Sequence, residues 1–254
     1  MNFFFFLANG DFQCELNIPR FQNRGKFFDK KIVLYKCNIK DELWEYSELT
    51  NSNDEHFWNL SSQEHSIDSI FFIEKKNNSN SFSKKKLKEQ NNLTSTYPDF
   101  RANNKVFLSQ GGFSSYQSDY PFKMTQKNGS VLSPINMLLN RDANRNFIFF
   151  RNIFHLPFKD NFEVFLINIK SFKILKIFKC KTNQMNILNI DKNFINNENY
   201  IFSKNYLGIP VFCSEYDGNI SVEHTHPPHE YILSDDKFKI ISEIKNKIHE
   251  KIFK

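Results

Sequence analysis

The chain has 254 residues, 40% of them hydrophobic and 24% charged, with a formal net charge of +6; this is a globular composition and excludes a fibrous or wholly disordered chain. The longest purely apolar run, Phe3 to Ala8, is far shorter than the roughly 18 residues that cross a bilayer, so no membrane span is expected. Met1 and Asn2 lead into that run with Asp11 and Glu15 close behind, in place of a basic stretch and a long apolar core, so a cytoplasmic protein is expected.

Thirty Phe and 33 Asn against three Ala (Ala8, Ala102, Ala143) is the skew that AT-rich coding produces whatever the fold, so patterning is a better guide than propensity. Phe here replaces Leu, Ile or Val as core filling. From the N-terminus, Phe12, Cys14, Leu16 and Ile18 alternate with polar residues, the period of a half-buried strand, and Pro19 ends it. Further strands are expected at 31–39 and 69–74. Between them Trp44, Tyr46, Phe57 and Trp58 lie among polar residues without regular period, as aromatics that pin a loop or, on a sharper reading, face a carbohydrate. Residues 75–90 hold six Lys and one Glu, which is +5 of the +6, in an Asn- and Ser-rich stretch expected to remain a flexible basic connector. Charge gathered in one loop, not spread along a folded face, argues against nucleic acid as a partner. The expected organisation is a small β unit at 1–74, a basic linker at 75–96 and a larger β domain at 97–254.

In the C-terminal part, Gln110-Gly111-Gly112 reads as a turn, and strands are expected at 147–154, 162–169, 172–180, 185–190 and 200–203, with a hairpin at Lys170-Ser171. The clearest hairpin joins 208–216 to 219–226 through Asp217-Gly218, a pair that tolerates the positive φ angles of a type I′ turn. Short strands and polar turns predict a mainly β fold, an antiparallel β-sandwich or a barrel-like closure of it. The tail, 235–253, reads as an amphipathic helix. Ser234 is its N-cap, Asp235 and Asp236 suit its positive end, Lys251 and Lys254 suit its negative end, and Phe238, Ile241, Ile244, Ile248 and Ile252 form one stripe. That stripe is expected to lie on the sheet; a partner interface, a homo-oligomer included, is its alternative use.

Cys14, Cys37, Cys180 and Cys213 include no C-x-x-C pair and are expected as buried thiols in a reducing compartment. The strongest chemical constellation is Glu223-His224-Thr225-His226-Pro227-Pro228-His229-Glu230, with three of the seven histidines. In the proposed hairpin, Ile220, Val222, His224 and His226 share a face. A two-residue turn sets Cys213 opposite Val222 and Val211 opposite His224. The two prolines end the ladder, and His229 and Glu230 are free to fold back. Imidazoles with a carboxylate suit a divalent metal (Zn, Fe, Ni or Mn), so His224, His226, His229 and Glu230 are the expected site for such an ion or for a small polar ligand.

Gly218, five residues, His224-x-His226, three residues and Glu230 together resemble the first metal-binding motif of the cupin family, over 13 residues. The resemblance implies that His224, His226 and Glu230 are metal ligands. Lys237 stands where the family pattern has a Gly, and no P-x-G-x-x-H-x-x-x-N stretch follows.

Ser114, Tyr116 and Tyr120 are candidates to line a ligand pocket; neither the phosphate cradle G-x-x-x-x-G-K-[ST] nor the G-x-S-x-G elbow is present. Arg141, Arg145 and Arg151 flank Asn-rich turns and are expected at the surface. The function expected is a β-sandwich protein, non-enzymatic or weakly catalytic, that binds a divalent metal or a small polar ligand. A cupin-like metal-dependent enzyme acting on a sugar-derived substrate is one alternative. A carbohydrate-binding interaction module with a structural histidine cluster is the other.

Overall fold

Alternating segments bounded by Asn, Asp and Gly satisfy their backbone groups by pairing with one another, and the side that carries the apolar residues must then be covered. The structure is a computed structural model and describes residues 2–22, 26–27, 32–49, 54–76, 79–87, 102–109, 111–126, 129–224 and 235–254. Those residues are mainly β strand, and they divide into two compact units.

The first unit comprises Met1–Gln126 with Ile153–Lys159 and Asn183–Met185. Its strands are β1 (Asn2–Phe5), β2 (Phe12–Pro19), β3 (Phe21–Gln22), β4 (Lys26–Phe27), β5 (Ile32–Lys40), β6 (Leu43–Leu49), β7 (Phe57–Ser61), β8 (Ile70–Lys75), β9 (Ser81–Lys84), β10 (Ala102–Leu108), β11 (Phe113–Ser118) and β12 (Tyr120–Pro121), followed by a single helical turn, α1 (Phe122–Thr125). One sheet runs β12-β1-β8-β5-β6-β9, another β11-β10-β2-β7, and β3 and β4 make a two-stranded ribbon. β2 alternates as expected, with Phe12, Cys14, Leu16 and Ile18 buried. β1 is buried on both faces, which is why the Phe run shows no alternation. Phe3 packs edge-on against Phe72, and Phe5 against Tyr120.

The second unit comprises Lys127–Asn152, Asp160–Thr182 and Asn186–Lys254. It contains β13 (Val131–Pro134), β14 (Arg145–Arg151), β15 (Asn161–Asn168), β16 (Lys173–Lys181), most of β17 (Met185–Ile190), β18 (Asn199–Ser203), β19 (Ile209–Tyr216), β20 (Asn219–His224) and the C-terminal helix α2 (Lys237–Ile252). Two four-stranded sheets result, β13-β18-β15-β16 and β17-β14-β19-β20. They share one core: Phe162, Val164, Leu166 and Ile201 of the first meet Ile148, Phe150, Leu188 and Phe212 of the second. On the other side of the first sheet, Phe165, Ile167 and Phe202 pack against Ile244, Ile248, Ile252 and Phe253. The expected helix therefore lies on a sheet, although Phe238 at the head of its stripe is 64% exposed. Its N-cap is Asp236; Ser234 lies outside the described residues.

Three expectations are corrected in detail. Strands β10 and β11, within the stretch assigned to the C-terminal domain from 97 onward, belong to the first unit, where β10 pairs with β2 (Val106 opposite Cys14) and β11 with β10. Ser81–Lys84, inside the stretch expected to be a flexible linker, forms β9 and pairs with β6, Phe82 opposite Tyr46. Phe82 stacks on Tyr46 and Lys84 sits over both rings, so one aromatic residue anchors a segment whose composition is otherwise that of a loop. Residues 88–96 of that expected linker lie outside the described residues. Finally, Arg151 is fully buried, not at the surface.

Candidate ligand-binding groove

The hairpin that carries the histidine cluster has the expected register: Cys213 opposite Val222 and Val211 opposite His224, closed by Asp217 and Gly218 at φ 42° and 85°. Phe149, Val211 and His224 form one row across β14, β19 and β20, and Phe147, Cys213 and Val222 the next. His224 thus ends an apolar face. His226, His229 and Glu230 lie outside the described residues. Among the described residues no group of three His, Cys, Asp or Glu side chains is placed to hold a metal ion.

The opposite face of the same hairpin is chemically different. Ile148, Phe212 and Glu223 form one row, and Asn146, Ser214 and Ser221 the next, so the core-facing side turns polar toward its edge strand. Two loops rise beside this polar end. In the first, between β13 and β14, Ile135 and Leu139 are buried anchors, and Leu139 N donates to Ile135 O. Ser214 Oγ accepts from Asn140 N and donates to Asn146 Oδ1, while Asn146 Nδ2 donates to Asn140 O. In the second, between β17 and β18, Asp191 Oδ1 accepts from Asn193 N, Asn196 Oδ1 from Glu198 N, and Asn199 Nδ2 donates to Phe194 O. Short amide side chains bonded to nearby backbone hold such turns in shape. Asn136 Nδ2 donates to Asn197 Oδ1 at 2.6 Å and ties the two loops together.

Between the loops and the hairpin is a groove of about 1380 Å³. The side chains of Arg141, Lys192, Tyr216, Ser221 and Glu223 line it without a hydrogen-bond or ion-pair partner among the described residues. Met137, 59% exposed, supplies an apolar lip. At the rim, hydrogen bonds from Asn168 and Lys170 hold the Glu198 carboxyl below the usual carboxylate range, so this acid keeps its charge. The arrangement is suited to hydrogen-bonding a polar ligand with donors, acceptors and both signs of charge at hand. Of the groove residues, the sequence singled out Arg141, and Glu223 at the head of the histidine stretch; the readable signal of the groove itself was the pair of Asn-rich turns at 136–144 and 193–199, which composition elsewhere in the chain masks.

The other expected site residues have structural surroundings. Ser114 and Tyr116 share a face of β11, where Tyr116 is buried opposite Asn104. Tyr120 belongs to a different sheet, is fully buried and packs on Phe5. Arg145 pairs with Glu215 at 2.6 Å. Trp44 is buried and its indole N–H donates to His155 O, so it pins a segment instead of facing a carbohydrate. Trp58 is buried too, with the Arg20 guanidinium over its ring. All four cysteines are buried free thiols, and burial pushes Cys14, Cys180 and Cys213 up to about 12. No described helix is long and apolar enough to cross a membrane. No known protein family, curated protein or solved structure matches the chain.

Proposed function

We propose that the protein is a non-enzymatic binding protein that takes a small, hydroxyl-rich ligand of the sugar-derived kind into the groove of the second unit. The observation that carries this reading is the groove itself, with polar side chains left unpaired inside a frame of amides already fixed by their own hydrogen bonds. Preset donors and acceptors lower the ordering cost of binding. Tyr216 and Met137 offer apolar surface to the C–H face of a sugar ring, and Arg141, Lys192 and Glu223 can each engage hydroxyls. The volume exceeds the roughly 300–1,000 Å³ typical of small-molecule pockets, which leaves room for more than one sugar ring. Calorimetric titration with a panel of mono- and disaccharides tests the reading. Binding that Tyr216→Ala or Arg141→Ala weakens about tenfold, with folding unchanged, supports it; a panel in which no saccharide binds below about 10 mM rejects it.

The observed hairpin register favours a second reading, in which His224 with His226, His229 and Glu230 ligates a divalent ion. Metal content after exposure to Zn, Fe, Ni or Mn, measured beside a His224→Ala/His226→Ala variant, decides this one: stoichiometric metal lost in a folded variant supports it, and no metal uptake rejects it. The proposal also takes the two sheets of the second unit as the expected antiparallel β-sandwich, on the strength of their shared core, and the cytoplasm as the setting, on the strength of four buried thiols.

A further inference from the structure

Among the described residues β16 ends its sheet, pairing with β15 on one side only. Lys181 N donates to Asn186 Oδ1, off the side away from β15. By the alternation of an antiparallel ladder, the N–H and C=O groups of Lys179 and Ile177 point off that same edge. The bulge between Leu166 and Ile167 sets Ile177 opposite Phe165 and Ile174 opposite Ile167, so both isoleucines emerge on the face that α2 covers over the neighbouring strands. They are 49% and 39% exposed. The strand, Lys173 to Lys181, carries lysine at 173, 176, 179 and 181 and no acid.

From these features we infer that β16 is a docking edge for an extended acidic segment of a partner protein, which adds to the sheet as a further strand. Backbone hydrogen bonds to Ile177 and Lys179 supply affinity, and on the face that carries Ile177 an apolar side chain of the incoming strand meets that isoleucine while its carboxylates meet Lys179 and Lys181. A second copy of this chain is disfavoured as the occupant because pairing β16 with itself sets lysines against lysines. The same charges that oppose self-pairing select an acidic strand.

The test uses the full-length protein and a fluorescein-labelled ten-residue peptide with Thr at every second position and two Val followed by three Glu between them, with the same peptide carrying Lys in place of Glu as control. Fluorescence anisotropy is expected to show binding of the acidic peptide that weakens with salt and falls about tenfold in a Lys179→Glu/Lys181→Glu variant, whose altered side chains are solvent-exposed. Hydrogen exchange is expected to slow at the Ile177 and Lys179 amides when the peptide is added. Four outcomes overturn the inference: no binding up to about 1 mM peptide, equal binding of the basic peptide, no added protection along β16, or sedimentation showing a dimer lost in the double variant. Binding of phosphatidylserine vesicles in place of the acidic peptide overturns it as well.

Discussion

Gly208 shows how closely single positions are specified. A Cβ built there meets the Phe150 ring at 2.4 Å and the Arg151 carbonyl oxygen at 2.9 Å, and both belong to a fully buried stretch of β14. Neither neighbour has room to withdraw, so Gly208→Ala is expected to cost about 1–3 kcal/mol, read as a lower urea midpoint. Electrostatics supply a second case. The Arg145 guanidinium beside Glu215, helped by the Gly218 amide, holds the Glu215 carboxyl below its ordinary value of 4.5. A depressed carboxyl pKa stabilises the fold above the ordinary value, and the contribution is lost as pH falls through the folded one. Unfolding curves should therefore show wild type losing stability below pH 4.5 more steeply than Glu215→Gln, the two converging at lower pH.

Among the elements, α2 separates periodicity from burial. Its stripe is regular in sequence, yet the second half of it docks: Ile248 is fully buried against Leu132, Phe165 and Phe202, while Phe238 lies largely in solvent. Ile248→Ala is expected to cost about 2–5 kcal/mol and Phe238→Ala about 0.5 kcal/mol or less, compared by denaturant unfolding of the two variants. A loss of stability of similar size from both would mean that the helix docks along its whole length. The β19–β20 hairpin, by contrast, was legible to the residue, because a two-residue Asp-Gly turn leaves one register available. That register also set Val222 and His224 on one face; what it did not reveal was that the other face, with Ser221 and Glu223, borders the groove.

In the whole molecule, the first unit is completed by residues from far along the chain. His155 O accepts from both the Trp44 indole and Leu87 N, and Asn183 binds Phe154 N through Oδ1 and the Leu156 and Phe158 carbonyls through Nδ2. Asp68 receives Lys159 Nζ and Met185 N. A fragment ending at Gln126 lacks all of these partners and leaves buried donors such as the Trp44 N–H unpaired, at about 1–3 kcal/mol each. Expressed alone, 1–126 is expected to lack the near-UV circular dichroism of a packed aromatic core; a cooperative thermal transition in that fragment would refute this.

The amino-acid order determined strands β2, β5, β8 and β14 to β20, the two hairpins at Lys170-Ser171 and Asp217-Gly218, the buried thiols and the terminal helix. Each of these follows from local rules, a period of two or 3.6 residues, turn chemistry or the absence of paired cysteines, which act over a few positions. Tertiary structure decided which strands are neighbours, that Ser81–Lys84 joins a sheet, that Trp44, Trp58 and Tyr120 are packing residues, and that two Asn-rich loops frame a groove. Those outcomes depend on contacts between residues distant in sequence, where any apolar face of the right shape satisfies the same local pattern. In a chain this rich in Phe and Asn, many segments carry that pattern, and packing selects among them.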